Sequence, residues 1–132
     1  MKDLLKPEIG IFTLRVSFGI VLLAHSLYLK MMVFGLAGTA GYFGSIGLPG
    51  FLAYVVFGIE TVAGIALILG YKTRFFAGLT IPVLLGATWA HAANGWLFSN
   101  ANGGWEYPLL LTILAFVLMT LGNGKFAISK NF

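Results

Sequence analysis

The chain has 132 residues, of which 59% are apolar, only 9% are charged and none is cysteine, and its formal net charge is +4. A soluble protein of this length would need a polar face on every element, so the composition predicts an integral membrane protein. Without cysteine, disulfides, thiolate metal sites and thiol redox chemistry are excluded, and the few basic residues indicate membrane topology rather than nucleic-acid binding.

Four apolar stretches approach the ~20 residues that a helix needs to cross the bilayer. They cover residues 8–29, 50–70, 73–96 and 107–121, and the fourth is the shortest. We interpret the first as a retained span, because Arg15 interrupts it and no small-x-small cleavage site stands out after it. The predicted fold is all-α: one transmembrane domain over residues 1–132, built as a four-helix bundle.

The connection between the first two spans, residues 30–49, is rich in glycine and aromatic residues. It ends in the helix-breaking sequence Gly47-Leu48-Pro49-Gly50. We expect a short interfacial helix or re-entrant loop here. Its length and its glycine content would also suit a lid over a site.

The distribution of basic residues predicts the orientation. One side of the membrane would carry Lys2, Lys6, Lys72, Arg74, Lys125 and Lys130, whereas the other would carry only Lys30. The positive-inside rule then places both termini in the cytoplasm. Trp96, Trp105 and Tyr107 would form part of an aromatic belt at the outer interface.

Small residues predict where helices approach closely. In the third span Gly78, Pro82, Gly86 and Ala90 recur every four residues and would form a small-residue ridge against a neighbouring helix. Gly58 and Gly64, which flank Glu60 in the second span, would permit a similar approach.

Two charged residues lie deep in the spans. With a helix rise of about 1.5 Å per residue, Arg15 lies about 10 Å inside the cytoplasmic edge and Glu60 about 14 Å inside the outer edge. The two depths differ by only about 6 Å, within reach of an arginine side chain. The sequence predicts a buried ion pair, which is either purely structural or one wall of a ligand site.

A second polar layer is predicted near the outer surface. His25 and His91 both lie about 25 Å from the cytoplasmic edge, and Glu106 begins the fourth span at that level. Asn94 lies on nearly the same helix face as His91. Three interpretations remain open: structural hydrogen bonds, a pocket for a quinone-like or other small ligand, or a metal site, although no H-x-x-x-H motif is present.

Several fragments of the chain are distinctive in their order and spacing. They are Arg15, Ala24-His25-Ser26 followed by Lys30, Phe43-Gly44-Ser45-Ile46-Gly47-Leu48-Pro49, Glu60-Thr61-Val62-Ala63-Gly64, Gly70-Tyr71-Lys72-Thr73-Arg74, Gly86-Ala87-Thr88-Trp89-Ala90-His91, Asn94-Gly95-Trp96 and Glu106-Tyr107-Pro108-Leu109-Leu110. As a set, they resemble the DoxX family of small bacterial inner-membrane proteins over nearly the whole chain. In one departure, Ser26 stands where the family often has glycine.

The resemblance implies a four-helix membrane fold in the bacterial inner membrane. It also implies a redox association, because relatives are linked to thiosulfate:quinone oxidoreductases and to oxidative or thiol stress. We therefore expect a membrane subunit of a redox system, with a redox enzyme as its partner and an outward-facing pocket for a quinone-like or other small ligand. The expected ligand-binding residues are His25, His91, Glu106, Asn94, Arg15 and Glu60.

Two alternatives accompany this hypothesis. The first is a non-catalytic membrane scaffold or partner subunit whose buried polar residues are structural. The second is a small transporter, for which four spans offer little alternating-access machinery. No catalytic residue, cofactor or oligomeric state follows from the sequence.

Overall fold

The computed structural model describes residues 2–97, 99–100 and 103–129. The described residues contain no strand, and they form five α-helices. These are α1 (Pro7–Leu23), α2 (Leu36–Ser45), α3 (Phe51–Leu69), α4 (Thr73–His91) and α5 (Glu106–Leu121). The all-α prediction is confirmed.

Two of the helices are extended by helical turns of another type. A π-helix, Ala24–Val33, follows α1 directly, and a 3-10 turn, Ala92–Asn94, follows α4. We call Ala24–Val33 the π segment. In it, each backbone N–H bonds to the carbonyl five residues earlier, so its side chains point in directions that an α-helical projection does not predict.

Three of the described helices are long and apolar enough to cross a membrane. They cover Pro7–Val33, Phe51–Leu69 and Thr73–Asn94, with 27, 19 and 22 residues. Helix α5 is apolar but has 16 residues, a length of about 24 Å against a hydrocarbon thickness of about 30 Å. The helices are therefore compatible with a membrane bundle whose fourth member is short.

The predicted short helix between the first two spans is present as α2. Gly35 precedes it with a φ of 74°, and Gly47 follows it with a φ of 89°. Its C-terminal connection packs closely on it, because a Cβ atom added at Gly50 would lie 3.4 Å from the carbonyl oxygen of Ala40. The position of α2 at the membrane surface remains a prediction.

Helices α1 and α3 approach each other closely at Gly19 and at Gly64, as predicted for Gly64, whereas no atom lies within 4 Å of a Cβ added at Gly58. A Cβ atom added at Gly19 would lie 2.7 Å from the carbonyl oxygen of Gly64, and one added at Gly64 would lie 2.9 Å from Cγ of Leu23. Such contacts let two backbones come together, which is a main source of helix association in lipid. The hydrophobic core of the bundle includes residues of α1, α3, α4 and α5: Phe18, Leu22, Ala63, Leu67, Ala77, Leu84, Leu111, Ala115 and Leu118.

The small-residue ridge predicted in the third span is largely wrong. Gly78 packs against Sδ of Met119, but no atom lies within 4 Å of a Cβ added at Gly86, and Pro82 is exposed. The buried face of α4 instead includes Ala77 and Leu84. Spacing of four residues identifies a helix face, but it does not reveal whether that face meets a helix or the solvent around the bundle.

The residues after α5 fold back over one end of the bundle. We call residues 122–129 the C-terminal segment. Lys125 N donates to Glu8 O at 3.1 Å, and Ile128 N donates to Leu69 O at 3.1 Å. Gly70 ends α3 in the left-handed conformation, and a Cβ there would lie 2.6 Å from Cα of Ala127. The sequence predicts no structure for this segment, which nevertheless joins the start of α1 to the end of α3.

Candidate functional site

Arg15 is completely buried and holds the C-terminal segment in place. Five backbone carbonyls accept hydrogen bonds from its guanidinium: those of Leu67, Ile68, Asn123, Lys125 and Phe126. The shortest are Nη2 to Lys125 O at 2.7 Å and Nη1 to Leu67 O at 2.8 Å. Because a guanidinium has five N–H donors, it can satisfy several carbonyls at the end of α3, where the helix dipole also favours a cation.

The predicted ion pair between Arg15 and Glu60 is therefore wrong. Leu67 follows Glu60 by seven residues, which places the arginine contacts about 10 Å along α3 from the carboxylate. A long basic side chain in a membrane protein extends toward the nearer end of the bundle. Arg15 thus belongs to the end that carries the C-terminal segment, apart from the carboxylate of Glu60.

Glu60 pairs instead with Lys30 of the π segment. Lys30 Nζ lies 2.8 Å from Glu60 Oε1, and the side chains are 16% and 6% exposed. An unpaired charge at this depth would cost about 3–5 kcal/mol. The signal was present in the sequence, because Lys30 is the only lysine or arginine between positions 16 and 71 and Glu60 is the only acidic residue between positions 9 and 105.

His25 lies in the π segment and is partly buried. Its Nδ1 is 2.9 Å from Val21 O. A carbonyl can only accept, so Nδ1 carries the proton, and in the neutral imidazole the lone pair lies on Nε2. The ring stacks on Tyr107 of α5, with centroids 6.3 Å apart and planes inclined by 24°. His25 thereby connects the π segment to the start of α5.

His91 closes α4 and has a matching geometry. Its Nδ1 is 2.7 Å from Ala87 O, so Nε2 again carries the lone pair of the neutral ring. A Cβ atom added at Gly103 would lie 3.3 Å from Cδ2 and 3.6 Å from Nε2 of His91. His25 therefore stacks on residue 107 in the first turn of α5, and His91 lies beside residue 103, three residues before α5 begins.

The described residues of the loop before α5 bond to one another. Trp105 N donates to Gly95 O at 3.0 Å, and Asn100 Nδ2 donates to Asn94 O at 3.1 Å. Trp96 and Trp105 pack edge to face with centroids 4.6 Å apart. This closed loop places Glu106 in the first turn of α5, close in sequence to both residues that the histidines contact.

The six predicted ligand-binding residues thus separate into three groups. His25, His91, Asn94 and Glu106 lie on the elements that meet at the start of α5, Glu60 pairs with Lys30, and Arg15 holds the other end. Among the described residues, no three His, Asp or Glu side chains are grouped so that they could hold a metal ion. Tyr107 and Lys30 were not predicted as members of the polar layer, since their roles depend on the π segment.

Comparisons with known proteins agree with the predicted family. The DoxX family model matches residues 10–93, from α1 to the end of α4. The chain is 39% identical over 111 residues to a Bacillus subtilis (strain 168) protein named "Putative oxidoreductase CatD", covering 84% of this chain and 79% of that protein. No solved structure matches. The family match and the extent of this relative show that the chain belongs to the DoxX family.

Proposed function

We propose that this DoxX family membrane protein is the membrane subunit of a redox system and that it binds a quinol near the start of α5. One observation carries the proposal. Two histidine rings from different helices lie beside the same short segment, His25 at Tyr107 and His91 at Gly103, and each commits its Nδ1 proton to a backbone carbonyl. The name of the Bacillus subtilis relative supports an oxidoreductase association.

The tautomer of the histidines determines which ligand they suit. A lone pair on Nε2 accepts a hydrogen bond, so the pair suits a ligand with hydroxyl donors, such as a quinol. Oxidation of a quinol releases two protons and two electrons. In our proposal Nε2 of each histidine takes one proton, and both electrons pass to the redox centre of a partner enzyme. The ring of Tyr107 beside His25 offers an aromatic surface for the flat quinol.

The ion pair between Lys30 and Glu60 helps to position this site without being part of it. Lys30 follows His25 by five residues, which is about one turn of a π-helix. Its contact with Glu60 therefore fixes the π segment against α3 and, with it, the ring of His25. Neither Lys30 nor Glu60 needs to touch the ligand for this role.

We further propose that the site faces outward from a bacterial inner membrane, with both termini in the cytoplasm. Lys6, Lys72, Arg74 and Lys125 are exposed at the end that holds the C-terminal segment, which supports this orientation by the positive-inside rule. Lys130 also contributes to the sequence argument, but it lies outside the described residues.

Binding of decylubiquinol and decylubiquinone to the purified protein tests the proposal. The wild type should bind the quinol more tightly than the quinone, because only the quinol has hydroxyl donors for Nε2. His25→Ala and His91→Ala should each weaken quinol binding about tenfold, the worth of one such hydrogen bond. Trp89→Leu, an exposed change on α4, is the control and should bind normally. Unchanged quinol binding in both folded histidine variants would refute the proposal.

A non-catalytic scaffold is the second candidate function. It is favoured by the fact that Nδ1 of each histidine bonds to the carbonyl four residues earlier in the same continuous helix, which is a purely structural use of the ring. A scaffold predicts that the double alanine variant keeps any cellular phenotype, even if its melting temperature falls. A quinol site predicts loss of the phenotype in a protein that still folds.

A further inference from the structure

A cavity at the end of the bundle opposite the histidines has walls of a distinct chemistry. It has a volume of 530 Å³ and is formed by the C-terminal segment together with Arg74 at the start of α4. The side chains that line it include two cations, Arg74 and Lys125, and the polar groups of Asn123 and Ser129. No carboxylate is among the described residues that line it, so the cavity is electropositive.

The cationic wall is held in place by hydrogen bonds. Nη1 of Arg74 donates to Thr120 O at 2.7 Å, which fixes the guanidinium against the C-terminal end of α5. Asn123 accepts from the Thr73 hydroxyl at 2.6 Å and donates to Ser129 O at 2.7 Å. The polar lining is therefore ordered by the fold, and a guanidinium fixed in this way suits an oxyanion such as phosphate.

An apolar groove adjoins the cavity. Tyr71, Lys72, Phe75 and Phe76 line a second cavity of 280 Å³, and Phe75 is 57% exposed. The two cavities are neighbours, because Lys72 N donates to Ser129 Oγ at 2.9 Å, and Ser129 lines the first cavity. The surface thus offers cations for an anionic head and aromatic rings for attached hydrocarbon.

We propose that these two cavities form a binding site for an anionic phospholipid. Its phosphate lies between Arg74 and Lys125, and the upper parts of its acyl chains lie against Phe75 and Phe76. Basic pockets at membrane interfaces recognise anionic head groups through charge, and each basic residue near the surface contributes a several-fold gain in affinity. The proposal is independent of the quinol site.

The test compares lipid retention in variants of the purified protein. Native mass spectrometry after titration with dioleoylphosphatidylglycerol should show tight binding, whereas dioleoylphosphatidylcholine should bind weakly. Lys125→Gln should weaken phosphatidylglycerol binding about fivefold, and Arg74→Gln with Lys125→Gln about 25-fold. Lys125→Gln keeps the backbone carbonyl that binds Arg15, so the variant should stay folded, which its melting temperature checks.

A matched control separates a site from general surface charge. Lys6→Gln removes one positive charge from the same end of the bundle, but Lys6 does not line the cavity. It should change binding by less than twofold, and a loss equal to that of Lys125→Gln would overturn the proposal. Inorganic phosphate should displace the lipid only weakly. If free phosphate bound as tightly as the lipid, the lipid assignment would be wrong.

Discussion

Nη2 of Arg15 lies 2.7 Å from the carbonyl oxygen of Lys125, a contact between residues 110 positions apart in the chain. Through this hydrogen bond, a cation in α1 holds the backbone that follows α5. The contact uses no side chain of Lys125, so any residue at that position except one that distorts the backbone would preserve it. Arg15 is thus a structural cation, and its partners are peptide groups.

Replacement of Arg15 should destabilise the protein strongly. Arg15→Met leaves several buried carbonyls without a donor, at about 1–3 kcal/mol each, and we expect a clear fall in the melting temperature in detergent. Arg15→Lys should also destabilise, because an ammonium group cannot reach the same set of acceptors. Lys6→Gln is the control for loss of one charge. A wild-type melting temperature for Arg15→Met would contradict the described geometry.

The pair of Lys30 and Glu60 should behave as a coupled unit. Lys30→Met and Glu60→Gln should each cost up to about 3–5 kcal/mol, and the double variant should recover part of the loss. In a double-mutant cycle with Arg15→Met and Glu60→Gln, the changes in the free energy of unfolding should be nearly additive, since the structure places these residues in separate networks. Strong coupling between Arg15 and Glu60 instead would restore the ion pair predicted from depth alone.

The crossing of α1 and α3 should be intolerant of added volume. Gly19→Ala places a methyl group 2.7 Å from the Gly64 carbonyl, and such overpacking typically costs about 1–3 kcal/mol. Gly86→Ala makes the same chemical change where no neighbouring atom lies within 4 Å. Thermal unfolding should therefore separate the two variants. Equal melting temperatures would show that the helices are not in close contact.

The orientation can be read from cysteine labelling, because the sequence has no native cysteine. Ser99→Cys lies in the exposed loop before α5, and Lys125→Cys lies in the C-terminal segment. In intact cells an impermeant thiol reagent should label the first and not the second. Asn123 is a poor labelling site because its side chain is buried and bonded to Thr73. Asn102, which is in the same loop as Ser99, is not chosen for labelling because it lies outside the described residues.

Residue depths calculated from the helix rise predicted some of these relationships and failed to predict others, for identifiable reasons. Hydropathy suffices to locate the four apolar stretches, since each is a continuous run of apolar residues. The glycines around α2 likewise mark the ends of that helix. Helix rise alone predicts His25 and His91 at one level, and the structure places them beside Tyr107 and Gly103. The calculated depths paired Arg15 with the wrong group, because a long side chain reaches toward the end of its helix. In addition, backbone acceptors cannot be recognised from the amino-acid sequence, since every residue has a carbonyl.

The π segment was beyond the reach of sequence pattern. Its residues are helix-compatible, and nothing in Ala24–Val33 distinguishes five-residue hydrogen bonding from the usual four. Lys30 was therefore assigned to the outer surface, and Tyr107 to the aromatic belt. The folded-back C-terminal segment was missed for a related reason: its backbone and the Asn123 side chain bond to groups that only the packing of the helices brings near.

The bonding of Arg15 also has a consequence for biogenesis. The residue enters the membrane early in synthesis, whereas the carbonyls of Asn123, Lys125 and Phe126 are made more than 100 residues later. At about 5–20 residues per second, the arginine waits roughly 5–20 s for these partners. During that interval the first helix carries an incompletely bonded cation. Ribosome-bound chains truncated before Gly122 should therefore be the preferred substrates of membrane quality-control proteases.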